Sequence, residues 1–222
     1  MERADMAREA YQQGDFRKAL ELWLPIAEAG DPQAQAWVGS LYANGQGVAV
    51  DDSVAFSWYL KAAEQGALLA QANVGAMYFI GSGTNKNAEE AVRWLSIAAD
   101  RGDINALFNL ATLYSKGEGV AEDQERAAEC YRTAAERGHY PSQSRLGYMY
   151  AQGRGLPKDR VQAYLWLTLA AQHGIGTALN ALEAVIKDMS AEEKAEGMQL
   201  FDEWRGKTQA VSGEGPIYPL PG

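Results

Sequence analysis

Five glycines, Gly30, Gly66, Gly102, Gly138 and Gly174, are each separated by 36 residues. Between them the chain repeats itself. Residues 31 to 66 read DPQAQAWVGSLYANGQGVAVDDSVAFSWYLKAAEQG, and residues 139 to 174 read HYPSQSRLGYMYAQGRGLPKDRVQAYLWLTLAAQHG. A unit of this size buries its apolar face only against a neighbour, so the period predicts a stacked solenoid. Such folds offer extended surfaces to partners.

Each unit reads as two helices joined by a glycine loop. In the first repeat, Asp31-Pro32 supplies an N-cap and a proline at N1, opening a helix over about residues 33–44. Ala34, Val38, Leu41 and Tyr42 recur as Ala70, Val74, Met77 and Tyr78, then as Ala106, Leu110, Leu113 and Tyr114. Their spacing places them on one stripe. Gly39, Gly75 and Gly147, with Ala111 in the third repeat, sit mid-helix and imply a close approach to a second helix. The loop glycines, from Gly45 and Gly47 to Gly153 and Gly155, end the first helix and turn the chain back. No strand precedes them and they recur in fixed phase, so a nucleotide-binding reading fails. The second helix begins at a cap, with Asn87 and Glu90, and Asp159 and Gln162, in capping-box spacing. It is expected to bury Ala55, Trp58, Ala62 and Ala63 and their counterparts, including Trp94 and Trp166. Cys130 stands in the tryptophan's place in the third repeat and reads as a buried small apolar residue.

Leu146-Gly147, Tyr150, Gly153, Gly155, Asp159, Ala163, Trp166 and Ala170-Ala171 carry a family pattern. It resembles the Sel-one-like repeat, a relative of the tetratricopeptide repeat with a longer inter-helix loop. The resemblance implies an all-α solenoid, a right-handed superhelix of helix–turn–helix repeats. Thr84 and Asn87 depart from the pattern in the second repeat, and Ala111 and Cys130 in the third. Four full units cover residues 31–174. Residues 1–30 read as a capping helix pair, with Phe16, Ala19, Leu20 and Trp23 at helical spacing. Residues 175–208 read as C-terminal capping helices, the last opened by a Ser190–Glu193 box and carrying Met198, Phe201 and Trp204 on one face to about Arg205. Residues 209–222 read as a disordered tail rich in Gly and Pro.

The net charge of −9 and the absence of any basic run exclude a phosphate-binding surface, so nucleic acid is not an expected partner. No apolar stretch approaches the roughly 20 residues that span a bilayer. The charged start MERADMAREA lacks an apolar core, so the sequence as given reads as cytoplasmic. A periplasmic or secreted protein beginning after a removed signal peptide reads the same way.

Catalysis needs a nucleophile with a base, a metal cluster or a facing carboxylate pair. His139 and His173 flank inter-repeat glycines about one repeat apart and read as helix-terminal residues. Glu89-Glu90 and Glu192-Glu193 fall on first turns, where carboxylates favour the macrodipole. The sequence therefore points to a non-enzymatic adaptor with protein or peptide partners, no metal and no cofactor; the alternatives are an exported cell-envelope-associated module and a carboxylate-based hydrolase.

In the superfamily resembled, first helices line the concave face, which here implies Gln33, Trp37, Ser40 and Asn44 from the first repeat. The second contributes Leu69, Asn73, Ala76 and Ile80, and the third Asn105, Asn109, Thr112 and Lys116. Pro141, Arg145, Tyr148 and Gln152 come from the fourth. Helices pack roughly 8–10 Å apart and extended chain rises about 3.3 Å per residue, so Asn73 and Asn109 suit backbone amides about three residues apart. Trp37 offers an apolar anchor and Arg145 a carboxylate contact. The alternative is that the asparagines solvate the surface or bond adjacent helices. Phe79 and Ile80 read either as an exposed patch or as packing beneath the next loop.

Overall fold

The computed structural model describes residues 2–212, with side chains from 3 to 207. Among these, the chain forms twelve α-helices and no strand. The first pair is α1 (Glu2–Gln12) and α2 (Phe16–Glu28). The repeats follow as α3 (Pro32–Asn44) and α4 (Asp52–Glu64), α5 (Leu68–Ile80) and α6 (Ala88–Asp100), α7 (Ile104–Lys116) and α8 (Gln124–Glu136), and α9 (Tyr140–Gln152) and α10 (Arg160–Gln172). The chain closes with α11 (Gly176–Asp188) and α12 (Ala191–Ser212). The helices divide into a first unit, α1–α7 up to Asp123, and a second, α8–α12 from Gln124.

Local chemistry explains the boundaries. Asp31 accepts from Ala34 N at 2.7 Å and Asp103 from Ala106 N at 2.8 Å, each satisfying a donor that the helix start leaves free. The first helices end on glycines in the left-handed region, with φ of 65° at Gly45, 79° at Gly81, 67° at Gly117 and 69° at Gly153. Asn87 accepts from Glu90 N at 3.1 Å and Asp159 from Gln162 N at 2.9 Å.

The expected capping boxes are half formed at these positions. The cap's own backbone N–H is already donated across the loop, from Asn87 to Tyr78 O at 2.9 Å and from Asp159 to Tyr150 O at 3.0 Å. Asp51 to Tyr42 O and Asp123 to Tyr114 O repeat the bond at 3.1 and 3.0 Å. Ser190 and Glu193 make the full reciprocal box, at 2.8 and 3.1 Å.

The mid-helix small residues mark the closest helix contact. A β-carbon on Gly39 would meet the Tyr59 ring at 3.0 Å, one on Gly75 the Leu95 side chain at 2.7 Å, and one on Gly147 Leu167 at 2.7 Å. The core of the first unit gathers Trp23, Val38 and Leu41 in one cluster and Tyr59, Val74 and Trp94 in the next. In the second unit, Ala163, Leu167 and Ala170 of α10 pack on Ala178, Leu182 and Val185 of α11.

Three expectations are corrected. Trp58 is half-buried, with Lys61 Nζ 4.4 Å from its ring centroid, while Tyr59 beside it is buried because it faces Gly39. Met198 is exposed; α12 instead turns Gly197 towards the Tyr164 ring and Trp204 edge-on to Trp166 at 4.8 Å. That helix continues to Ser212, past Arg205 and into the residues expected as tail. The rest of the tail, 213–222, lies outside the described residues.

Candidate interaction surface

Alternation fixes the partition between core and surface on the first helices. In α5, Ala70, Val74 and Met77 turn inward, so Leu69, Asn73, Ala76 and Ile80 form the opposite stripe. Leu69 and Ile80 are 51% and 68% exposed, which for aliphatic side chains marks an uncovered apolar edge. In an acidic chain, α3 and α5 carry no Asp, Glu, Lys or Arg, and α7 carries only Lys116.

Asn73 and Asn109 are half-buried on α5 and α7, and neither amide takes a hydrogen-bond partner among the described residues. Other predicted residues are engaged internally. Asn44 Nδ2 donates to Ser40 O at 2.9 Å and to its Oγ at 3.2 Å, and Thr112 Oγ1 donates to Phe108 O at 3.0 Å. Burial pushes the Tyr59 hydroxyl pKa up, opposed by its hydrogen bond with Ser40.

Trp37 is half-buried, stacked on Trp23 with centroids 4.9 Å apart and planes 3° from parallel, with Tyr11 at 5.0 Å. Its position is thus set by the N-terminal helix pair as well as by α3. Phe79 and Ile80 part company. Phe79 lies half-buried with Lys86 and Lys116 Nζ 5.7 and 5.9 Å from its ring, while Ile80 stays exposed. Glu118 joins both lysines, at 3.1 and 3.6 Å, and its hydrogen bond with Lys86 holds its carboxyl below the usual range.

Arg145 and Tyr148 belong to α9 of the second unit and are both exposed. Tyr148 lines a groove of about 290 Å³ between α9 and α11, floored by Ala181, Ala184 and Val185. The histidines are helix-terminal as expected: His139 is the N-cap of α9 and His173 the C-cap of α10. Cys130 is half-buried rather than buried as expected, like Trp58 at the same phase of the first repeat.

A register of buried glutamines, absent from the expected site residues, lies between successive repeats. Gln35, Gln71 and Gln143 are 4%, 6% and 3% exposed, and their Nε2 atoms donate to Ala27 O, Ala63 O and Ala135 O at 3.1, 3.3 and 3.1 Å. Each side chain bonds the last turn of the preceding second helix to the first turn of the next first helix. The signal was available: a glutamine recurs at the same phase in three repeats, with Leu107 in the other.

Among the described residues, no helix is long and apolar enough to cross a membrane, and no three His, Cys, Asp or Glu gather as a metal site.

A search of curated proteins returned no match. The solved structures include a protective antigen present in uropathogenic Escherichia coli strains, displaying an SLR fold. It is 32% identical, with a TM-score of 0.79 over 92% of this chain and 45% of the other. A Sel1 repeat protein from Oxalobacter formigenes is 34% identical, with a TM-score of 0.67 over 77% of this chain and 50% of that one. This chain therefore spans about half the length of either. A Klebsiella pneumoniae protein at 21% identity and TM-score 0.52 shares the fold. The Sel1 repeat model matches residues 4–31, 32–66, 68–103, 104–139 and 141–175, so the N-terminal helix pair is recognised as a repeat too. The chain belongs to the Sel1 repeat family, a family of protein-interaction repeats with an all-helical solenoid fold.

Proposed function

We propose that this protein is a non-enzymatic adaptor whose first-helix face binds an extended segment of a protein partner. The observation that carries the reading is the pair Asn73 and Asn109. Both are half-buried on α5 and α7, and both amides lack an internal partner. An amide donates and accepts at once, so it grips a peptide backbone whatever the side chains. Leu69 and Ile80 flank this stripe with exposed apolar surface, and the half-buried Trp37 ring is held rigid by its stack on Trp23. A fixed aromatic loses little conformational freedom on binding. The absence of carboxylates from α3, α5 and α7 favours a neutral or acidic segment. On the second unit, Arg145 and Tyr148 offer a cation and an aromatic ring to a partner in the same way.

The test is crosslinking capture from native cells, comparing the wild type with the Asn73→Ala, Asn109→Ala double variant at matched helicity. Two lost backbone hydrogen bonds correspond to about a tenfold loss of affinity or more. Unchanged capture by a folded double variant overturns the groove.

A second reading concerns place rather than mechanism. The similar Escherichia coli protein is a protective antigen, which supports an exported, envelope-associated role for this chain. Fractionation of native cells decides it: recovery with cytoplasmic markers alone removes that reading.

A further inference from the structure

The period gives the molecule an internal reference for each polar contact, and one contact lacks its donor. In the first repeat, Gln35 Oε1 accepts from Gln65 Nε2 at 2.8 Å. In the second, Gln71 Oε1 accepts from Arg101 Nη1 at 2.8 Å, and the same nitrogen donates to Gly66 O at 2.7 Å. One planar NH₂ group thus closes two acceptors at the seam between consecutive repeats.

Two repeats later the corresponding residues are Gly138, Gln143 and His173. Gln143 is 3% exposed, its Nε2 is bound to Ala135 O, and its Oε1 is buried without a partner. Buried polar atoms are rarely left so, because the loss of hydration goes uncompensated. His173, in the place of Gln65 and Arg101, turns aside. Its exposed ring stacks on Tyr140 with centroids 3.5 Å apart and planes 13° from parallel.

We infer that Gly138 O and Gln143 Oε1 form a receptor for a guanidinium group, filled by an arginine side chain of a partner that displaces His173 from Tyr140. Three independent features select that chemistry. The occupied counterpart in the second repeat is itself a guanidinium, with both acceptors in its reach. The C-terminal ends of α8 and α10, at Glu136 and Gln172, flank the position, and helix C-termini favour cations. Tyr140, 39% exposed, gives the incoming plane a ring to stack on. An ammonium group matches the charge but lacks the planar fork.

The probe is N-acetyl-arginine methylamide, titrated into the full chain and followed by the amide signals of Gly138, Tyr140 and Gln143 in ¹H–¹⁵N spectra. Saturable millimolar binding is expected, with the lysine analogue weaker and the isosteric, uncharged citrulline analogue weaker still. His173→Ala removes the incumbent ring and tightens binding about three- to tenfold. His173→Arg supplies the guanidinium from within and abolishes binding while raising Tm. Gln143→Leu, which copies Leu107 of the third repeat, abolishes binding with the fold intact. No saturable shift, equal binding of citrulline and arginine analogues, or binding indifferent to Gln143→Leu and His173→Arg overturns the inference.

Discussion

Gly83 lies against the backbone carbonyl of Asp52, the first residue of α4 in the preceding repeat, so closely that a β-carbon would overlap it. Ser82 Oγ confirms the docking by donating to Asp52 Oδ2 at 2.7 Å. Gly119 meets Ala88 and Gly155 meets Gln124 in the same way. Gly66 also has a positive φ, of 86°, but a β-carbon there would meet nothing within 4 Å. Gly66→Ala therefore costs only the left-handed strain, about 1–2 kcal/mol. Gly83→Ala adds overlap with immovable backbone and costs about 2–5 kcal/mol. Urea unfolding of the two variants separates the contributions.

Ala67 occupies the N-cap of α5 with φ −67° and ψ 114°, close to Asp31 at −65° and 119°, yet offers no side-chain acceptor. Ala67→Asp transplants the cap of the first and third repeats onto unchanged backbone. Stabilisation of about 0.5–2 kcal/mol is expected, read as a raised urea midpoint at constant slope.

Burial lowers the pKa of His139, so the folded protein resists a proton that the unfolded chain accepts. The unfolded state binds more protons as pH falls through about 6.5, and stability is lost from there down to the folded pKa. His139 makes no side-chain cap bond, so His139→Asn adds a capping acceptor and deletes the titration. Its unfolding free energy is expected to fall less between neutral and mildly acidic pH than that of the wild type.

The buried glutamines are not equivalent. Gln35→Leu strips a partner from Ala27 O and another from Gln65, and about 1–3 kcal/mol is expected to be lost. Gln143→Leu also strips Ala135 O but removes an oxygen already unsatisfied, so its cost is expected to stay within about 1 kcal/mol. Thermal unfolding of both variants measures the difference.

Most of the helix plan was legible in the sequence because it rests on local rules. Asp31-Pro32 opens a helix and Gly45 ends it whatever surrounds them. What escaped depends on neighbours. Gln35 and Gln71 look like surface residues until the preceding helix end is placed beside them, and the bond from Asn87 to Tyr78 O uses backbone groups that carry no sequence signature. The glycine pair showed only half its reason: Gly45 is needed for its own dihedral angle, Gly83 for the repeat behind it. Trp37 was readable as a surface aromatic, but its stack on Trp23 joins two repeats that the period alone does not align in space.

The side-chain ties described between repeats are short in sequence: Gln65 reaches back 30 residues, Lys86 forward 32 and Arg101 back 35. Each is therefore shorter than the period itself. A repeat array tied in this way is a zipper rather than a knot. It has low contact order, frays from its ends, and can lose or gain whole units without leaving a partnerless seam. Such an architecture lengthens or shortens its surface by whole repeats, with no new interface to invent.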